Sequence, residues 1–210
     1  MINKDSKPKL DEVVAQAALQ QTESQKQAQV LASGAALQQD KPSFVNVSPF
    51  NECLEEGRKM DPPKELCPHI LVEHETTILF SGPGVGKTAL ATQIAFELAG
   101  QGMRALIVNF ELSKQQLALR YPNKEFPNTL YHASIDYTKM HDVTDQNLIL
   151  SEIERLAVEL NIELIIIDNF TNLCINSKEA AEAGNIMLKL VAMRLTHNWT
   201  MLILAHTPKR

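Results

Sequence analysis

Ser81-Gly82-Pro83-Gly84-Val85-Gly86-Lys87-Thr88 is the stretch on which the reading of this chain turns. It lies between a short apolar run, Thr76-Thr77-Ile78-Leu79-Phe80, and a segment in which Leu90, Ala91, Ile94, Ala95 and Leu98 recur at helical spacing. The run reads as a buried strand and the recurrence as an amphipathic helix, with Gly100 and Gly102 as its stop. A Gly-rich loop in a strand–loop–helix setting turns backbone N–H groups inward around phosphate oxygens. The helix that follows aims the positive end of its dipole at them. The candidate nucleotide-binding residues are therefore Gly82, Pro83, Gly84, Val85, Gly86, Lys87, Thr88 and Ala89. Lys87 is expected to reach the β- and γ-phosphates of ATP, and the Thr88 hydroxyl to bind Mg²⁺. Glycine is expected wherever the backbone passes the phosphates in conformations that a Cβ would block. One position departs from the strict pattern: Ser81 stands six residues before Lys87, where the pattern has Gly. The plainer alternative is a Gly/Pro turn with an ordinary surface lysine, and it leaves the flanking strand and helix without a reason.

Downstream, strands and helices alternate. A strand near 104–110 leads to a helix near 114–121, and Thr129 to Ala133 forms a further extended piece. A helix near 145–160 carries Ile149, Ile153, Leu156 and Leu160 on one face. The most apolar strand runs from Glu163 to Asp168. Asn176 and Glu179 have the spacing of a capping box and open a helix to about His197. Thr200 to Ala205 is the last strand. This alternation predicts an α/β fold, a mostly parallel sheet with helices on both faces. Ligands in such sheets sit at the carboxyl ends of the strands.

Three polar residues fall at those ends. Asp168 closes the run Leu164-Ile165-Ile166-Ile167, where a rigid strand would aim a carboxylate at the metal side of the phosphates, commonly through water; the alternative is that it caps the next turn. Glu111, in Asn109-Phe110-Glu111-Leu112-Ser113, is placed to position and deprotonate a water in line with the γ-phosphate. A glutamate complementing the dipole of a helix capped by Ser113 is the other reading. His206 ends the last strand, where it could hydrogen-bond the γ-phosphate and report its loss, or be merely packed. The catalytic candidates are Lys87, Glu111, Asp168 and His206, and the metal candidates Thr88 and Asp168. The remaining histidines show no ligand spacing.

The 210 residues allow one domain and an appendage, and a 44% hydrophobic content can fill a core. A net charge of −5 speaks against a strongly basic nucleic-acid surface over the whole chain. Cys53, Cys67 and Cys174 have neither metal-ligand nor redox-motif spacing. With a polar N-terminus and no apolar run approaching the ~20 residues of a membrane span, a cytoplasmic protein with reduced thiols is expected. Residues 1–43 contain no aromatic side chain, and between Leu10 and Asp40 there are eight Gln and seven Ala. This composition suits a flexible or helical tail with little to bury. Residues 44–68 form a Pro-punctuated segment with Phe44, Phe50, Leu54 and Leu66 as scattered anchors, and the core is expected over 69–210.

Four pieces in order, Ser81–Thr88, Asn109–Ser113, Leu164–Asp168 and His206–Lys209, resemble the RecA-type ATPase core. Within that group the chain is most similar to RepA-like hexameric plasmid helicases and related ATPases of mobile elements. Glu111-Leu112-Ser113-Lys114-Gln115-Gln116-Leu117 also resembles the matching stretch of DnaB-like replicative helicases. The resemblance implies an Mg²⁺-ATP hydrolase with Glu111 as catalytic base, a ring of identical subunits, and single-stranded DNA as partner in replication or transfer of a plasmid or mobile element. It places Arg120 and Tyr121 where such folds often stack the adenine, an exposed helix end being the other reading. It also implies strands, an arginine finger and DNA-contacting loops beyond Arg210, so the chain is expected to be a truncated form of the core. Two other functions compete with this one: a regulatory ATP-dependent switch that holds a partner without unwinding anything, and a small-molecule kinase, which the lack of an Arg-rich lid disfavours.

Overall fold

A computed structural model describes residues 44–140, 146–174 and 180–207. The expected tail over 1–43, the Asn176/Glu179 helix opening and Pro208 to Arg210 lie outside them. The chain divides into two units, Met1–Met60 and Asp61–Arg210.

In the first unit, helix α1 (Phe50–Lys59) follows Pro49 and buries none of its residues. Phe50 is 76% exposed. Sequence reading found scattered anchors here and no helix. The local signals are a proline at the start, Glu52 in the first turn and Arg58 and Lys59 in the last, charges that complement the helix dipole.

The second unit opens with an antiparallel hairpin, β1 (Glu65–Cys67) and β2 (Leu71–Val72), whose turn carries His69 at φ 62°. The main sheet follows: β3 (Thr76–Ser81), β4 (Ala105–Asn109), β5 (Leu130–Ser134), β6 (Leu164–Asp168) and β7 (Thr200–His206). Its spatial order is β3-β7-β6-β4-β5, and every pairing is parallel. The predicted parallel α/β sheet is therefore the observed one. Helices α2 (Lys87–Gly100), α3 (Lys114–Arg120), α4 (Gln146–Glu159), the short α5 (Phe170–Leu173) and α6 (Ala180–His197) make the connections.

Successive strand residues point to opposite faces, and the sheet builds two cores that way. Leu164 and Ile166 pack with Ala91, Ile94, Ala95 and Leu98 of α2. Ile165 and Ile167 pack with Ile149 and Ile153 of α4 and Leu190 of α6. All five β6 residues are buried, and each aliphatic side chain of that strand contributes roughly 1.5–3 kcal/mol by leaving water. On α4 the buried face is Ile149, Leu150, Ile153 and Ala157. It is turned from the predicted Ile149/Ile153/Leu156/Leu160 stripe because the helix leans on both the sheet and α6.

Register then delivers polar residues to one edge. Ser81 pairs with His206, Asn109 with Asp168, and Asp168 with Leu204. At the carboxyl ends of four neighbouring strands, side chains from distant sequence positions come into reach of one another.

Candidate nucleotide-binding and hydrolysis site

The loop between β3 and α2 needs two glycines for their backbone. Gly84 and Gly86 lie at φ 77° and 101°, a region strained for residues with a Cβ. A Cβ built at either would meet nothing within 4 Å, so within the chain the requirement is conformational rather than steric. Gly86 is the N-cap of α2, and its carbonyl accepts from Leu90 N at 2.9 Å.

Lys87 folds back along the loop. Its ammonium donates to Ser81 O (2.9 Å), Ser81 Oγ (3.0 Å) and Gly82 O (3.0 Å). The Ser81 departure thus has a local rationale: the extra hydroxyl is an acceptor for the loop lysine. The same Nζ lies 3.2 Å from His206 Nδ1. On the far side of that imidazole, Nε2 stands 3.5 Å from Glu111 Oε1. One histidine therefore touches both the loop cation and the strand-end carboxylate. Its own backbone N–H donates to Thr171 Oγ1 at 3.3 Å.

Glu111 sits on a turn built by Asn109, which is buried. The Asn109 Oδ1 accepts from both Glu111 N and Leu112 N at 2.9 Å, while Nδ2 donates to Leu112 O at 3.0 Å. The carboxylate turns towards β6, where Asn169 Nδ2 donates to Oε1 at 2.5 Å and Asn172 Nδ2 at 3.2 Å. Helix α3 beyond it carries a complete capping box between Ser113 and Gln116. The Ser113 cap of the alternative reading thus exists, with Glu111 outside the helix and its carboxylate on Asn169 and Asn172.

Asp168 is 4% exposed. Burial raises its carboxyl above the ordinary carboxylate range. A hydrogen bond from the Thr88 hydroxyl opposes this, the Glu111 charge adds to it, and Arg120 and Lys87 oppose it. A buried carboxylate with a hydroxyl neighbour is an all-oxygen, hard donor set that suits Mg²⁺, and the cation would supply the charge the site lacks. Thr88 and Asp168 thus fit the metal expected of them. Among the described residues no cluster of three or more His, Cys, Asp or Glu forms a separate metal centre. A cavity of about 330 Å³ adjoins the pair, lined by Thr88, Asn109, Tyr121, Phe126, His132 and Asp168 among others. Tyr121 packs edge-on against Phe126 with its hydroxyl buried and without a partner among the described residues.

The structure brings Lys87, Thr88, Glu111, Asp168 and His206 within reach of one another. Asn169, Asn172, Thr171 and Asn109 were missed. Asn109 lies in a quoted motif, and an Asn there signals a turn. Asn169 signals only a cap for the next helix, since its partner is 58 residues away.

The fold agrees with what the chain is similar to. The AAA_25 family, described as an AAA domain, matches residues 43–210. The chain belongs to that family and is a P-loop ATPase of RecA fold. No curated protein matches it significantly. Among solved structures, a KaiC-like protein from the hyperthermophilic archaeon Pyrococcus horikoshii OT3 superposes with a TM-score of 0.57 at 18% identity, covering 71% of this chain and 73% of that one. At that identity the likeness speaks for the fold alone. No described helix is long and apolar enough to cross a membrane.

Proposed function

We propose that this chain binds Mg²⁺-ATP on the Gly82–Ala89 loop and hydrolyses it with a water activated by Glu111, doing work on DNA as RepA-like and DnaB-like motors do. The observation that carries the reading is the imidazole of His206, within 3.2 Å of Lys87 Nζ and 3.5 Å of Glu111 Oε1. A phosphate that draws Lys87 off the Ser81 and Gly82 carbonyls alters one neighbour of His206, and loss of the γ-phosphate reverses it. His206 then relays the state of the nucleotide to Glu111 and, through its backbone, to Thr171. Thr88 and Asp168 would hold Mg²⁺, which would supply positive charge against the charge that develops on the transferring phosphate. Glu111 accepts the proton of the attacking water.

Titration calorimetry with Mg²⁺ and a non-hydrolysable ATP analogue should show binding to wild type and to Glu111→Gln alike. Turnover of the variant should fall ~10²-fold or more. Equal turnover would remove Glu111 from the role. The net charge of −5 favours a second reading, a nucleotide switch that holds a protein partner. Single-stranded DNA decides between the two, since the motor should hydrolyse ATP faster in its presence and the switch should not.

A further inference from the structure

The contacts of Glu111 are one-sided. Asn169 Nδ2, at 2.5 Å, and Asn172 Nδ2, at 3.2 Å, both donate to Oε1, and His206 Nε2 stands 3.5 Å from the same atom. Among the described residues nothing in the chain bonds Oε2. Of the three, Asn169 alone is fully enclosed, at 1% exposed. Its other amide atom is also committed: Oδ1 accepts from Thr171 N at 2.7 Å, as the cap of α5. A backbone N–H can only donate, so the amide oxygen must face Thr171 and the amide nitrogen must face Glu111. Asn169 cannot reverse its roles. Thr171 is itself tied to β7 through His206 N at 3.3 Å.

The geometry points to Asn169 as a positioning residue for hydrolysis: its amide pins Oε1 of Glu111 and turns Oε2 out as the atom that takes the proton from water. This rests on the reading of Glu111 as the base. A carboxylate free to rotate would present either oxygen at varying distance, and a small misplacement of a catalytic group carries a large loss of rate. Substrate affinity should be retained, because the side-chain hydrogen bonds of Asn169 go to Glu111 and Thr171 and not to Lys87 or the loop.

Asn169→Ser separates this role from capping. Serine is a good cap for the Thr171 N–H but is too short to reach Glu111, whereas Asn169→Ala loses both bonds. In single-turnover hydrolysis of radiolabelled Mg²⁺-ATP, Asn169→Ser should slow the chemical step by ~10-fold or more. Its affinity for a non-hydrolysable analogue should stay within about twofold of wild type. Combined with Glu111→Gln it should cost nothing further, because it acts through that carboxylate. In ¹⁵N NMR spectra the Asn169 side-chain amide protons should move on Glu111→Ala, a readout that needs no turnover. A wild-type rate in Asn169→Ser, a matching loss of affinity, full additivity with Glu111→Gln, or an amide signal indifferent to Glu111 would each overturn the inference. If Glu111→Gln alone turns over normally, it is the proposed function that fails, whatever Asn169 does.

Discussion

The two ends of the parallel sheet are both polar, yet they are wired differently. At the amino end, His74 N donates to Thr200 Oγ1 at 2.9 Å and His74 Nδ1 lies 2.5 Å from Asn198 O. Arg104 Nε donates to Leu160 O at 2.5 Å, and Glu163 Oε2 accepts from Arg104 N at 2.9 Å. His197 pairs with Glu154 at 2.7 Å and stacks on Trp199 with ring centroids 4.3 Å apart. Those side chains close turns and satisfy backbone groups. At the carboxyl end, Glu111 is bonded through one carboxylate oxygen only among the described residues, and Asp168 is a buried carboxylate raised above its ordinary range mainly by that burial. Lys87 is held by loop acceptors that a phosphate can replace. Open bonding capacity alone does not mark a site, since Arg194 Nε and Thr76 Oγ1 at the amino end are buried without a partner among the described residues; what sets the carboxyl end apart is a buried carboxylate gathered with a loop cation and a second carboxylate.

The largest expected effect tests the carboxyl end directly. Lys87→Ala removes the loop cation and should weaken Mg²⁺-ATP analogue binding by ~10²-fold or more, since truncating one member of a hydrogen-bonded charge pair costs roughly 2–5 kcal/mol. Calorimetry on a variant that melts like wild type checks it. Unchanged affinity would make this end as closed as the other.

Asp168→Asn should weaken Mg²⁺-dependent binding by about 10- to 100-fold and stabilise the nucleotide-free protein. The sign follows from linkage. A carboxyl raised in the folded state binds its proton more tightly there than in the unfolded chain, so its contribution to stability is full below the unfolded value of about 4 and is lost as pH rises through the folded one. Asn escapes that loss. The variant should therefore melt above wild type at pH 7, with an advantage that shrinks as pH falls towards 4. A melting point at or below that of wild type at pH 7 would show that Asp168 is satisfied without a metal.

The smallest effect belongs to the amino end. Thr200→Val leaves the His74 N–H without its acceptor, at a cost of about 1–2 kcal/mol. The melting point should drop by a few degrees for a domain of this size. Nucleotide affinity and hydrolysis should not change. A variant that loses affinity would break the contrast between the ends.

Much of this was legible in the chain. The parallel sheet follows from apolar strands alternating with amphipathic helices, because a strand buried on both faces must be apolar throughout, as Leu164 to Ile167 are. Lys87, Thr88, Glu111, Asp168 and His206 were legible as candidates because each ends a strand, lies in the turn just after one or begins the helix that follows. Helix α1 was not, since its only apolar stripe is the single turn of Phe50, Cys53 and Leu54, too short to stand out in a Pro-punctuated segment. Nor were the hairpin strands β1 and β2, of three and two residues, which are too short for an alternation to show.

By itself, the sequence determined the loop, its two left-handed glycines, the strand ends that hold charge, and the class of sheet. These are local properties of backbone conformation and hydrophobic period. Tertiary structure alone decided which strand end faces which. Only the order β3-β7-β6-β4-β5 sets His206 beside Ser81 and Lys87, and Asn109 beside Asp168. Only the return of β6 next to β4 brings Asn169 onto one oxygen of Glu111. A hydrogen bond spanning 58 residues leaves no periodicity in a sequence, because its geometry is fixed by strand register and not by spacing along the chain.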